Sequence, residues 1–189
     1  ISFLGFGQID LGLWFIPAFV FVALCVYMSS VIDGIDGLAG GVFMFIFTAY
    51  VGIGLWQEQI DIAAFAATVV GGILAFLWFN VPPARFYMSE TGVMALTMSL
   101  TVVAFMTDTL GDGEGVSVLP IIGFLLVATV VANVAQIMGK RFFGRKVLLV
   151  APLHHHFEAE GWPPYKVTMR YWILGFVFAV VGLLLTIGI

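Results

Sequence analysis

Long apolar runs alternate with short polar segments along nearly the whole chain. An apolar run of about 18 residues crosses the ~30 Å hydrocarbon core of a bilayer as a helix. Such a run must be helical, because lipid offers backbone amides no hydrogen-bond partner. We therefore predict an all-α polytopic membrane protein with one transmembrane domain over residues 1–189. Its six predicted transmembrane helices are residues 11–29, 38–55, 62–79, 92–106, 118–138 and 172–189.

The composition agrees with a membrane protein and excludes other classes. Of 189 residues, 62% are hydrophobic and 10% are charged, and the mean hydropathy is +1.13. This balance leaves a soluble fold too little polar surface. A transporter is disfavoured, because its ionisable residues would lie within the spans, whereas here they cluster between them. Seven dispersed basic residues form no stripe for nucleic acid, so the lipid bilayer is the expected partner.

The charges predict the orientation. All seven Lys and Arg residues fall in the loops 30–37, 80–91 and 139–171, which the positive-inside rule makes cytoplasmic. The opposite loops, 1–10, 56–61 and 107–117, carry only acids, Asp112 among them. Both termini are then external. Because the chain begins at Ile1 and has no signal peptide, we expect it to be part of a longer protein with earlier spans.

The first cytoplasmic loop contains two Asp-Gly pairs, Asp33-Gly34 and Asp36-Gly37. Asp-Gly lets the backbone turn sharply and approach a ligand closely. Acids beside a bilayer need a metal, a base or water as a partner. From the spacing alone, two ordinary turn aspartates in solvent are an equally good interpretation.

The second loop runs from Asn80 to Glu90. Its two prolines end the preceding helix, and Glu90 stands near the start of the next, where the helix dipole favours an acid. Arg85 either binds phosphate or is an orientation-setting cation at the interface. Tyr87 is either a stacking platform or an interface anchor.

The third loop holds three consecutive histidines, His154, His155 and His156, before Glu158. Imidazoles near neutral pH serve as general acids and bases, as phosphate donors or as metal ligands. Adjacent histidines do not all point one way, and no Cys/His set accompanies them, so a zinc site is not predicted. The run favours a functional cluster over a surface one.

Together these loops resemble the polyprenyl-phosphate N-acetylhexosamine-1-phosphate transferases. The run Pro-Leu-His-His-His-Phe-Glu at 152–158, with Gly161-Trp162, resembles the histidine loop of the members that act in lipid I synthesis. The Asp-Gly-x-Asp-Gly-Leu-Ala run at 33–39 resembles the wider family. The resemblance covers essentially the whole chain and would make it the last six of the family's ten spans.

The resemblance implies a reaction. A polyprenyl phosphate attacks the β-phosphate of a UDP-sugar and releases UMP, with Mg²⁺ as cofactor. The implied substrates are UDP-MurNAc-pentapeptide and undecaprenyl phosphate, which give lipid I for peptidoglycan at the cytoplasmic face of the bacterial inner membrane. Phosphoryl transfer asks mainly for positioned oxyanion ligands, a bridging metal and exclusion of water. A homodimer is left open.

The resemblance also implies roles for individual residues. Glu90 would be the magnesium ligand. The catalytic residues would be Asp33, Glu90, His154, His155 and His156, and the substrate-binding residues would be Ser30, Asp36, Asn80, Arg85 and Tyr87.

The chain departs from the family pattern at the implied metal site. Glu90 stands where the family has aspartate, with Ser89 and Val93 where it has glycine and serine. Ser30 replaces a usual asparagine, and Tyr87 a usual phenylalanine. The family's Asp-Asp pair is absent, so we expect no turnover from this chain alone. The alternatives are a non-catalytic membrane homologue that binds polyprenyl phosphate or nucleotide-sugar, and a family member that uses UDP-GlcNAc.

Overall fold

A computed structural model describes residues 10–111 and 113–188, so residues 1–9 of the first predicted external loop, Asp112 and Ile189 lie outside it. The described residues form eight α-helices and two short 3₁₀ helices. The α-helices are α1 Phe15–Met28, α2 Leu38–Trp56, α3 Ile60–Asn80, α4 Ser89–Leu110, α5 Gly115–Ile122, α6 Phe124–Phe143, α7 Leu153–Ala159 and α8 Pro164–Gly188.

Six helical segments are long and apolar enough to span a bilayer, which confirms the all-α, six-span prediction. The first is the continuous segment Gly12–Ile32, made of α1 and the two 3₁₀ helices. The other five are α2, α3, α4, α6 and α8. The two shorter helices, α5 and α7, lie between spans.

The predicted fifth span, 118–138, was wrong as a single helix. The chain breaks at Gly123, where α5 ends and α6 begins, and α6 continues to Phe143. Pro120 lies inside α5 and cannot donate a helical hydrogen bond. At Gly123 an added Cβ would lie 2.9 Å from the carbonyl oxygen of Leu119, so the bend needs glycine. The length of an apolar run does not reveal this break, because the residues on both sides of Gly123 are apolar.

The predicted start of the last span was also wrong. Helix α8 begins at Pro164, not at residue 172, because proline is well suited to the first helical position. Lys166 and Arg170 kept this segment out of the predicted span, although charged residues are compatible with a helix that emerges at the membrane surface. Helix α4 likewise begins earlier than predicted, at Ser89.

Helix α2 is the most buried of the spanning helices and forms the centre of the bundle. Its side chains Phe43, Phe47 and Tyr50 are fully buried. Glycines on α2 allow its neighbours to approach closely: a Cβ at Gly40 would lie 2.8 Å from Leu77 of α3. Because α2 begins directly after the first Asp-Gly loop, this packing fixes where that loop lies.

At the opposite end of α2, hydrogen bonds between uncharged side chains and backbone carbonyls connect it to the turn between α4 and α5. The Tyr50 hydroxyl donates to the carbonyl of Gly115 (2.6 Å), and Gln59 Nε2 donates to the carbonyl of Thr107 (3.0 Å). Gln57 Nε2 donates to the carbonyl of Gly113 (2.7 Å). These bonds satisfy backbone carbonyls at the α4–α5 turn, which would be costly to bury unpaired.

Candidate functional site

The loop Asp33–Gly37 is the point at which the polar segments of the chain meet. Gly37 is the residue before α2 and has a left-handed backbone (φ 73°). Its N–H donates to Oδ1 of Asn80 at the end of α3 (2.9 Å). The other end of the Asn80 amide donates to the carbonyl of Phe86 (2.9 Å). The buried Asn80 side chain thus joins the first loop to the second.

Two further segments hold the same loop. The carboxylate of Asp36 accepts the N–H of Ala84 (3.0 Å), which is a second link to the second loop. From α8, the Thr168 hydroxyl donates to the carbonyl of Asp36 (3.0 Å) and Trp172 Nε1 donates to the carbonyl of Gly37 (3.0 Å). The 36–37 backbone is therefore fixed from three directions.

The histidine helix α7 packs on the first loop at Gly34. A Cβ at this glycine would lie 2.5 Å from Nε2 of His154 and 2.9 Å from Nε2 of His155. Only glycine leaves room for both rings, so the histidine cluster and the Asp-Gly loop are in direct contact.

His154 is fully buried. Neither of its ring nitrogens has a hydrogen-bond partner among the described residues. Burial, with a smaller contribution from neighbouring His155, lowers the pKa of His154 to about 4. The ring is therefore neutral at pH 7 and offers one donor and one acceptor nitrogen beside the loop.

Acidic residues hold the two remaining histidines. His155 Nδ1 hydrogen-bonds the carboxylate of Glu158, and His156 Nε2 lies 3.5 Å from Glu160. Carboxylate partners of this kind orient an imidazole and fix its tautomer.

A glutamine on α6 orders the segment that leads to the histidines. Gln136 Oε1 accepts the N–H groups of Val147 (2.9 Å) and Leu148 (2.8 Å), and its Nε2 donates to the Leu148 carbonyl (3.1 Å). The next residue, Leu149, donates its N–H to His156 Nδ1 (3.3 Å). Through these bonds Gln136 positions the segment that leads into the histidine helix α7.

Asp33 is partly buried in the same loop, and burial raises the pKa of its carboxyl. A raised pKa makes the carboxylate a better proton acceptor, and a cation beside it would favour its charged form. The carbonyl of Ser30, one turn earlier, accepts the Asp33 N–H (3.1 Å).

The second loop exposes Arg85 and Tyr87. Phe86 lies between them and packs against the rings of Phe76 and Phe79, with centroids 5.4 and 5.8 Å away. This packing anchors the loop and leaves Tyr87 67% exposed. The stacking and anchoring roles of Tyr87, and the phosphate contact of Arg85, stay predictions.

Glu90 lies in the first turn of α4. Its carboxylate accepts the hydroxyl of Tyr27 from α1 (3.0 Å). Within residues 10–111 and 113–188 no three His, Cys, Asp or Glu side chains are grouped so that they could hold a metal. The metal-ligand role of Glu90 stays a prediction.

The structure thus brings Asp33, Asp36, Asn80, His154 and His155 together around one loop. Sequence reasoning missed Thr168, Trp172 and Gln136. Thr168 and Trp172 are four residues apart and share a helical face, but we had placed the first outside any helix. Gln136 lay inside a predicted span, and a polar residue there was the only signal.

A six-span membrane bundle with its polar chemistry gathered at loops on one end defines the class of this protein. The family model described as glycosyl transferase family 4 matches residues 1–108. The chain belongs to this family.

Individual relatives are similar over nearly the whole chain. The phospho-N-acetylmuramoyl-pentapeptide-transferase of Moorella thermoacetica is 37% identical over 181 residues, 94% of this chain and 55% of the relative. The protein of the same name from Desulforamulus reducens is 38% identical over 93% of this chain and 51% of its own length. That of Listeria welshimeri is 34% identical over 95% and 54%. The chain spans about half the length of these curated relatives.

Replacing His154 by phenylalanine should reduce the loss of folding stability that occurs as the pH is lowered. The folded-state pKa of about 4 lies below the ordinary 6.5, so the unfolded chain binds more protons between these values. The stability that neutral His154 contributes is complete above pH 6.5 and is lost as the pH falls towards 4, by at most about 3 kcal/mol. The His154→Phe variant has no imidazole at this position, so its stability does not fall through this titration.

The measurement is the midpoint of thermal unfolding in detergent from pH 7.5 to 4.5. The midpoint of wild type should fall further than that of His154→Phe, while at pH 7.5 the variant should be at least as stable, because two unpartnered nitrogens are removed. Parallel profiles for the two proteins would contradict the burial of a neutral His154.

Proposed function

We propose that the chain is the loop-bearing part of an enzyme that transfers phospho-MurNAc-pentapeptide from UDP to undecaprenyl phosphate, giving lipid I and UMP. In this reaction an oxygen of the lipid phosphate attacks the β-phosphorus of the UDP-sugar. The bond from that phosphorus to the UMP oxygen breaks, and UMP leaves with the electron pair.

The observation that carries the proposal is the meeting of three polar segments at Asp33–Gly37. Asn80 of the second segment binds Gly37, and His154 and His155 of the third pack on Gly34. Residues separated by more than a hundred positions thus share one loop at the end of the bundle. The names of the relatives support the choice of substrates.

The residues at this loop have two kinds of role, which are positioning of the loop and proton transfer. Asn80, Thr168 and Trp172 hold the loop backbone, which keeps the Asp33 carboxyl and the neutral His154 ring in fixed positions. Asp33, whose pKa is raised by burial, accepts a proton from the lipid phosphate before attack. His154 is buried against Gly34 and supports the loop, while the His155 side chain, which is 37% exposed, offers its imidazole for hydrogen bonding to phosphate oxygens.

These residues fit a Mg²⁺ ion that is bound jointly by the protein and the substrate phosphates, rather than one bound by protein ligands alone. Mg²⁺ is usually held by one or two carboxylates together with substrate phosphates and water. Glu90 presents an exposed carboxylate with one hydrogen bond, from Tyr27, so it fits such a ligand. The bound ion would offset phosphate charge during transfer.

We predict that the loops 30–37, 80–91 and 139–171 face the cytoplasm. Single cysteines at exposed Glu58 and Ala159 test this in intact cells after Cys25→Ala removes the native thiol. An impermeant maleimide should label position 58 directly and position 159 only after permeabilisation. Labelling of 159 with none at 58 would reverse the topology.

We expect Mg²⁺-dependent UMP release to depend on the negative charge of residue 90 rather than on the length of its side chain. Glu90→Gln removes the anionic oxygen and should abolish Mg²⁺-dependent UMP release, while Glu90→Asp should preserve or raise it. Were Glu90 only a helix-start acid, Glu90→Gln would cost about 1 kcal/mol of stability or less and leave turnover intact.

The assay is UMP release by the product of the complete reading frame in membranes, with and without Mg²⁺. Tyr27→Phe removes the hydroxyl that binds Glu90 and is the matched control; it should retain Mg²⁺-dependent release. Activity in Glu90→Gln would eliminate the ligand role. Inactivity of wild type and of every variant would instead favour a non-catalytic homologue.

A further inference from the structure

Four cations lie close together at the end of α6. Lys140 and Arg141 belong to the last turn of the helix, and Arg145 and Lys146 follow directly after it. All four residues are exposed. Residues 115–157 contain no Asp or Glu, so this part of the sequence carries no counter-charge for the cluster.

A tight reversal of the chain brings the two pairs of cations to the same helix end. Gly144 has a left-handed backbone (φ 63°), and its N–H and that of Arg145 both donate to the carbonyl of Gly139. The chain then turns back towards α6, so that a Cβ at Gly139 would lie 2.6 Å from Cγ2 of Val147. Gln136, about one turn before Gly139, accepts the Val147 N–H (2.9 Å). The fold therefore holds the second pair of cations beside the first.

The charges of this cluster are available to a partner. Within residues 10–111 and 113–188, none of the four side chains forms a hydrogen bond, an ion pair or a cation–π contact. Lys166 and Arg170 of α8 differ, because both lie over the ring of Trp162, at 5.1 and 3.9 Å from its centroid. Orientation in the membrane requires only that cations lie on one side. A gathered and unpaired cluster indicates, in addition, an anionic partner.

Exposed apolar side chains accompany the cations. Phe142 and Phe143 lie between the two pairs and are 67% and 74% exposed, and Val147, Leu149 and Val150 after them are exposed as well. Such side chains gain by leaving water, which a purely polar partner does not provide. Cations and apolar residues at the end of a spanning helix match the boundary between lipid headgroups and acyl chains.

We infer that residues 140–150 are a docking site for anionic phospholipids of the bilayer that α6 spans. The four cations contact the phosphate headgroups, and the apolar side chains among them enter the adjoining acyl region. Because the cations are all exposed, they suit a layer of headgroups better than one enclosed ligand.

The docked segment leads directly to the histidine helix. Leu149 donates its N–H to Nδ1 of His156 (3.3 Å), and Gln136 holds the two residues before Leu149. Attachment of residues 140–150 to the bilayer surface therefore restrains α7 from the side opposite to the Asp-Gly loop in the sequence.

The test measures which lipid surrounds the segment in nanodiscs that contain the product of the complete reading frame. A bimane label at Phe143→Cys, in a Cys25→Ala background, is quenched by phosphatidylglycerol or by phosphatidylcholine with brominated acyl chains. Arg145→Gln with Lys146→Gln removes half of the cluster. Lys166→Gln with Arg170→Gln removes the same charge from α8 and is the matched control.

We expect brominated phosphatidylglycerol to quench wild type at a several-fold lower mole fraction than brominated phosphatidylcholine. One cation near an anionic surface changes lipid association about fivefold, so the variant at 145 and 146 should lose at least fivefold of this preference, while the control keeps it. At 1 M salt the Debye length is about 3 Å, and the wild-type preference should shrink.

Equal quenching of wild type by the two lipids would overturn the inference and leave the cluster to an acidic protein partner. An unchanged preference in the variant at 145 and 146, or an equal loss in the control, would also overturn it. Quenching does not require turnover, so a wild type that releases no UMP can still show the preference.

Discussion

The hydrogen bond from the Gly37 N–H to Asn80 Oδ1 (2.9 Å) is the contact on which the arrangement of the site depends. It lies at the point where the first span has ended and α2 has not yet begun, so the backbone amides there lack helical partners. The Asn80 amide satisfies Gly37 and, through its other end, the carbonyl of Phe86. One buried side chain therefore sets the distance between two loops.

The loop tolerates little change because backbone and packing constraints coincide in it. Gly37 adopts φ 73°, a region that costs other residues about 1–2 kcal/mol. Gly34 leaves the space that the rings of His154 and His155 occupy. Gly41, one turn into α2, leaves the space for the indole of Trp172, which donates to the Gly37 carbonyl. The glycines of this segment thus serve three different contacts.

Much of the fold could be predicted from the sequence, because the bilayer restricts the chain to apolar helices. The break at Gly123 could not, since the residues on both sides of Pro120 and Gly123 are apolar and continue one run. The early start of α8 at Pro164 was hidden by Lys166 and Arg170, which lower hydropathy without breaking a helix.

The site was predictable in part, because its motifs are local. The roles of Asp33, Asp36 and Asn80 were implied by the family resemblance, and the histidines stand out as a run of three. The structure brings Asp33, Asp36, Asn80, His154 and His155 to one loop. The partners Thr168 and Trp172 could not be identified, because a sequence without tertiary contacts does not show which face of α8 meets the loop. Glu90 was predicted from position in a motif, and its contact with Tyr27 depends on packing between α1 and α4.

Amide hydrogen exchange at Gly37 tests most directly whether the loop is held by the side chain of Asn80. The measurement compares wild type with Asn80→Ala, and with Asn133→Ala on α6 as the matched control, in nanodiscs at neutral pH. Loss of a net contribution of about 1 kcal/mol from the bond should accelerate exchange at Gly37 several-fold in Asn80→Ala and leave it unchanged in the control. Equal exchange rates at Gly37 in wild type and Asn80→Ala would contradict the account.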